Sequence, residues 1–209
     1  MGQVIQLRRP GSAAPAPEPA TAPPTFYFDL ADPHTYLAAE RVDRRFATAS
    51  WQPAAGRQLA PSPCAAPGRA GARAAAAAER RARELHLPLI WPERYPAPVP
   101  HAMRAATYAA ERGYGAAFAI AVGRLAFCGG FDVDEQSMLA EAAAAAALDV
   151  DATLAAAADP RRDRLLEAAG RTLWAAGGRS LPAIELGGRV FQGEHGITAA
   201  LVAARARRA

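Results

Sequence analysis

Within four consecutive residues, Asp32-Pro33-His34-Thr35, this chain places a carboxylate, an imidazole and a hydroxyl directly behind an aromatic run, Phe26-Tyr27-Phe28. An ionised carboxylate only accepts hydrogen bonds, a hydroxyl both gives and accepts, and an imidazole exchanges its proton near neutral pH. Such a set suits acid–base chemistry. Asp32 also suits a helix N-cap and Pro33 the first helical position, while the residues before them favour a strand. The expected local structure is strand, tight turn, helix. That junction aims free backbone N–H groups and the positive end of a helix dipole at one point, where an anion or a nucleophile is stabilised. Residues two apart on a helix do not face each other, so the spacing argues against Asp32 and His34 acting as a couple. On that ground Asp32 is expected to cap the helix.

Other candidates lie far along the chain. Leu181-Pro182 precedes a strand-like run, and Glu194 with His195 follows it. Trp91 and Tyr95, in a proline-rich crossing, offer an aromatic wall for a flat ligand, and His101 opens the helix after it. Cys64 and Cys128 stand outside any Cys-x-x-Cys spacing and away from the 32–35 stretch in sequence. They read as ordinary thiols, and no metal site is expected.

The elements that must position these residues follow from composition and period. Residues 1–24, with Pro10, Pro15, Pro17, Pro19, Pro23 and Pro24, read as a flexible tail. A strand is expected over 25–30, a helix over 33–47 burying Ala38, Ala39, Val42 and Phe46, and an edge strand over 50–54 ending near Pro53. A loop over 56–71 leads into a helical block: about 73–85, 101–112, a strongly apolar helix at 116–127, an alanine-rich helix capped by Asp134, a short one capped by Asp149 or Asp151, and one from Asp159-Pro160 to about 176. The end changes period. Two short strands flank Gly187-Gly188, a two-residue hairpin signal, and a helix over 197–207 closes the chain. The expected organisation is 25–60 and 177–209 as two halves of one fold, with 61–176 as an all-α insertion.

The run Phe26-Tyr27-Phe28-Asp29-Leu30-Ala31-Asp32-Pro33-His34-Thr35-Tyr36 resembles the opening of the DsbA-like branch of the thioredoxin superfamily. The likeness is greatest to 2-hydroxychromene-2-carboxylate isomerases and kappa-class glutathione transferases. Together with the order of elements and Leu181-Pro182, it covers about residues 25–208. It implies an α/β thioredoxin-like fold, a four-stranded mixed sheet with a large helical insertion. It also implies a cis proline at Pro182, next to which Leu181 offers its backbone to bound glutathione. In those families a serine before the proline steadies the glutathione sulfur; here Asp32 stands in its place, with His34 and Thr35 as neighbours that can compensate. Where they carry an acid and an arginine for the γ-glutamyl end, this chain has Glu194, His195 and Gly196. A carboxylate about 4 Å from a thiolate repels it by ~4 kcal/mol at an effective dielectric of 20.

Composition narrows the function further. The net charge of +4 comes from 24 arginines against 20 acids, with no lysine and no nucleic-acid-reading motif. No apolar run reaches the length of a membrane span, and the start of the chain lacks the apolar core of a secretory signal, so the expected compartment is the cytoplasm. Three readings follow. The first is a glutathione-dependent isomerase or transferase acting on small aromatic electrophiles, with a homodimer compatible with the resemblance. The second is a non-catalytic binding protein on the same scaffold. A thiol–disulfide oxidoreductase needs a thiolate at the helix start, and Asp32 and Thr35 exclude that mechanism.

Overall fold

The structure, a computed structural model, describes residues 23–206, so most of the expected tail at 1–24 lies outside the described residues. Thr25–Phe28 forms β1, Pro33–Arg45 α1 and Ser50–Pro53 β2. After a 3-10 turn at Pro63–Ala65 come α2 (Gly68–Glu84), α3 (Pro100–Glu111), α4 (Gly115–Phe127), α5 (Gln136–Ala145), α6 (Val150–Ala158) and α7 (Asp163–Ala175). Ala183–Leu186 and Arg189–Gln192 are β3 and β4, and Gly193–Ala206 is α8. The sheet order is β2-β1-β3-β4, with β1 parallel to β2 and antiparallel to β3, and β3 antiparallel to β4. It is the mixed α/β arrangement that the resemblance implied, with the helical block entering between β2 and β3.

Alternation along β1 decides which face carries the core. Phe26 and Phe28 are fully buried on one face, where their rings meet Trp51 of β2 edge-on at 4.7 and 5.8 Å. Tyr27 points to the other face and packs with Leu59, Leu173 and Ala183. On the first face α1 and α4 complete the main core through Leu37, Val42, Phe118, Val122 and Phe127. Rings of this size dominate core stabilisation, because each buries a large apolar area. The alanine-rich helices fill the remaining space, with Ala102, Ala105, Ala106 and Ala109 of α3 all buried. The short side chains let helix backbones approach closely. The apolar run at 116–127 does lie in this core, as its composition predicts.

Several boundaries depart from the sequence reading. Helix α2 begins at Gly68 rather than near 73, and α8 begins at Gly193 rather than near 197. Glu194 and His195 therefore lie in the first turn of a helix. Asp134 does not cap α5, whose N-cap Glu135 makes no side-chain cap bond. It caps α3 instead, accepting from Ala102 N at 3.0 Å. Asp149 does cap α6, and Asp159 caps a 3-10 turn that precedes α7. The hairpin at Gly187-Gly188 forms as expected, with φ of 57° and 74°; glycine takes that left-handed backbone without steric cost.

Candidate functional site

The junction of β1 and α1 sets the site. Asp32 caps α1 with an extended backbone, φ −95° and ψ 119°, and its Oδ1 accepts from His34 N at 2.9 Å. An N-cap residue is only half inside the helix, so its side chain folds over the first turn instead of radiating from it. The result corrects the spacing argument. His34 Nδ1 stands 2.9 Å from the same Oδ1, and Asp32 and His34 do form a couple. Ser62 donates to that oxygen as well, at 3.0 Å. Asp32 is buried, and the His34 side chain is 21% exposed.

Electrostatics around this couple is uneven. Burial, the largest influence on His34, lowers its proton affinity, yet the hydrogen bond and charge of Asp32, with the charge of Glu194, outweigh it and hold His34 above the ordinary 6.5. Asp29, at the end of β1, is pushed up to about 6, mainly by burial; the Ala31 N–H opposes this and the Asp32 charge adds to it. Its Oδ1 accepts from Ala31 N at 2.9 Å. Thr35 is buried, and its hydroxyl accepts weakly from Asp29 N at 3.4 Å. It therefore holds the turn together.

Two features brought to this place escaped the sequence reading. The 3-10 turn at Pro63–Ala65 carries Cys64 into the neighbourhood of the junction, contrary to the expectation that both cysteines lie away from it. Burial first, and the Asp32 carboxylate second, push the Cys64 thiol up to about 11, with the Ser62 and Tyr95 hydroxyls opposing them in part. A sulfur anion is disfavoured there. Beside Cys64 and Ser62, the Tyr95 hydroxyl is buried without a hydrogen bond of good geometry.

Glu194 anchors the second feature. Its side chain is 2% exposed, and Arg81 of α2 holds both its oxygens, Nε to Oε2 at 2.7 Å and Nη2 to Oε1 at 3.0 Å. Arg41 of α1 reaches Oε1 from the other side and also donates to Thr198. Arg41 is thus largely buried in an ion cluster. His195 turns outward with its side chain 91% exposed, 3.8 Å from Glu194 Oε2.

Leu181-Pro182 is a cis peptide bond, in the place the resemblance assigned to one. Pro182 O accepts from Gly193 N at 2.7 Å, and Leu181 packs beside Tyr27 and Leu59. Ser180 pairs with Ala60, two residues before Ser62, so residues 60–62 link the proline loop to Asp32. Of the aromatic pair, Tyr95 lines an apolar cavity with Leu30, Val99, Phe127, Phe131 and Val133 beside the β1–α1 turn. Trp91 packs on Tyr95 with ring centroids 4.8 Å apart and donates from Nε1 to Glu79 at 2.8 Å, outside that lining. His101 lies elsewhere, with Nδ1 2.7 Å from Asp134 in a cleft between α3, α5 and α6. Among the described residues no group of three or more histidine, cysteine or carboxylate side chains converges as a metal site would.

The chain matches no family model and no curated protein sequence. Solved structures do match over nearly the whole chain. A 2-hydroxychromene-2-carboxylate isomerase superposes with a TM-score of 0.70 at 19% identity, covering 88% of this chain and 94% of that one. A probable DsbA oxidoreductase from Streptomyces coelicolor gives 0.69 at 21% identity, with coverages of 89% and 91%. The cytosolic disulfide reductase DsbM from Pseudomonas aeruginosa, solved with glutathione, gives 0.58 at 18%, with coverages of 87% and 98%. The fold is that of the DsbA-like proteins of the thioredoxin superfamily. These neighbours are named as an isomerase, a probable oxidoreductase and a disulfide reductase, so the shared fold does not decide the chemistry of this chain. Among the described residues no helix is long and apolar enough to cross a membrane.

Proposed function

We propose that this protein is a glutathione-dependent isomerase or transferase acting on small, flat, electron-poor aromatic compounds in the cytoplasm, with the His34–Asp32 couple replacing a serine at the start of α1. One observation carries the reading: the contact of 2.9 Å between His34 Nδ1 and Asp32 Oδ1. A lone carboxylate at this place repels a sulfur anion. A carboxylate already paired to an imidazole that carries a proton is neutralised, and the imidazolium beside it attracts the anion instead.

The residues present suit the anionic groups of glutathione. Its γ-glutamyl end carries a carboxylate, and Arg41 and Arg81, two cations sharing the single buried Glu194 carboxylate, leave a net positive charge that would attract it. Leu181 beside the cis proline would hold the peptide part. When bound, glutathione supplies a thiol that adds to an activated double bond and leaves again. With Nδ1 engaged by Asp32, His34 has Nε2 as the atom that takes up the proton and returns it. Tyr95, Phe127 and Phe131 wall a small apolar cavity of about 30 Å³ beside the β1–α1 turn, room for a water-sized molecule, which must widen before the ring of the substrate can enter.

A non-catalytic binding protein is the second reading, favoured by the Cys64 thiol being driven up to about 11 beside Asp32. Calorimetry separates the two. Millimolar glutathione gives a saturable heat that Arg41→Ala weakens, and His34→Ala removes turnover of a chlorodinitrobenzene-type electrophile while keeping that heat. Absence of any heat with the intact protein would remove glutathione from the reading.

A further inference from the structure

Ser62 belongs to no functional motif; it sits on the loop that leads from β2 toward α2. Its hydroxyl nevertheless donates to the one Asp32 oxygen that already accepts from His34 N and faces His34 Nδ1. Three donors on a single carboxylate oxygen compete, since each draws on the same negative charge. The hydroxyl is held from behind. Ala60 N donates to Arg179 O at 2.7 Å, Ser180 pairs with Ala60, and Gln192 Oε1 accepts from Ser180 N at 3.0 Å.

We propose that Ser62 is a positioning residue that acts through Asp32, fixing the carboxylate against the helix start and moderating its hold on His34. Its functional meaning rests on His34 being the proton carrier; its physical content does not. The other charges facing His34 are Glu194 from α8, itself neutralised by Arg41 of α1 and Arg81 of α2, while Asp29, Cys64 and Tyr95 flank Asp32. The Cys64 thiol and the Tyr95 hydroxyl also lie beside Ser62, but Ser62 Oγ is the side-chain hydroxyl that donates to Asp32 Oδ1. With the hydroxyl gone, Asp32 Oδ1 gives more of its charge to the imidazole. His34 then binds its proton more tightly.

The test is a proton NMR titration of the His34 ring, assigned by its disappearance in His34→Gln, in the full chain. Ser62→Ala moves the His34 midpoint to higher pH, a gain in proton affinity of about three- to tenfold, the worth of one ordinary hydrogen bond. Ser62→Thr restores the original midpoint, and Ser62→Cys, a weaker donor, falls between and serves if alanine impairs folding. A midpoint that stays put or falls in Ser62→Ala overturns the proposal, as does Ser62→Thr behaving like alanine. Loss of glutathione-dependent turnover in the wild type would sink the enzyme reading alone, since the titration needs no substrate.

Discussion

Replacing Asp32 by Asn reverses the sign of the His34 perturbation. Asn keeps the shape and a side-chain oxygen for His34 N, so the cap survives, while the charge and the charge-assisted bond to Nδ1 are lost. A hydrogen bond to a charged partner contributes about 1.5–3 kcal/mol. Because the His34 side chain is 21% exposed, the lower half of that range applies, about a ten- to fortyfold change in proton affinity. Burial is the largest single influence and it acts downward, opposed afterwards by Glu194 alone. The His34 midpoint therefore falls from above 6.5 to below it. NMR titration of the ring reads this directly, and thermal melts give an independent check. In the wild type the raised affinity stabilises the fold below 6.5, and that contribution is lost as pH rises through the folded midpoint. In the variant the neutral imidazole is preferred, so the contribution is present above 6.5 and lost as pH falls. A variant whose midpoint remained above 6.5 would refute the claim that Asp32 outweighs burial.

Glu194→Ala leaves Arg41 and Arg81 facing each other without the carboxylate between them, which costs about 3 kcal/mol; calorimetric melting drops by about 6–12 °C for a chain of this length. Gly170→Ala brings a methyl group within 2.0 Å of the Ala55 carbonyl oxygen and shifts α7 off the loop after β2, at a cost of about 1–3 kcal/mol read by urea unfolding. Cys64, with its thiol at about 11, alkylates with iodoacetamide at neutral pH about a hundredfold more slowly than a free cysteine, as mass spectrometry would follow, and Asp32→Asn speeds it.

What could be read in advance was what local rules govern. The Asp32-Pro33 start of α1 and the Gly187-Gly188 turn each depend on neighbours a few residues away and formed where expected, and the aromatic run does lie in a strand, although β1 ends at Phe28 and not near residue 30. The site depended on two things that sequence spacing does not encode. First, an N-cap residue is outside the helical repeat, so the rule that separates side chains two apart did not apply to Asp32 and His34. Second, Arg41, Arg81, Ser62 and Cys64 arrive from stretches with ordinary composition, and only the path of the chain brings them to Glu194 or Asp32. Asp29 was the legible omission. It ends the aromatic strand in plain view, and burial at that strand end is what makes its carboxyl unusual.

The order β2-β1-β3-β4 also bears on how the chain is made. Strand β1 finds its first neighbour by residue 53, but its second neighbour, β3, begins only at residue 183. A growing polypeptide thus carries β1 with one edge bare while the whole helical block is being synthesised. A bare strand edge invites foreign strands until the β3–β4 hairpin emerges and docks. The brevity of β1, four residues from Thr25 to Phe28, limits how firmly an intruder can hold during that interval.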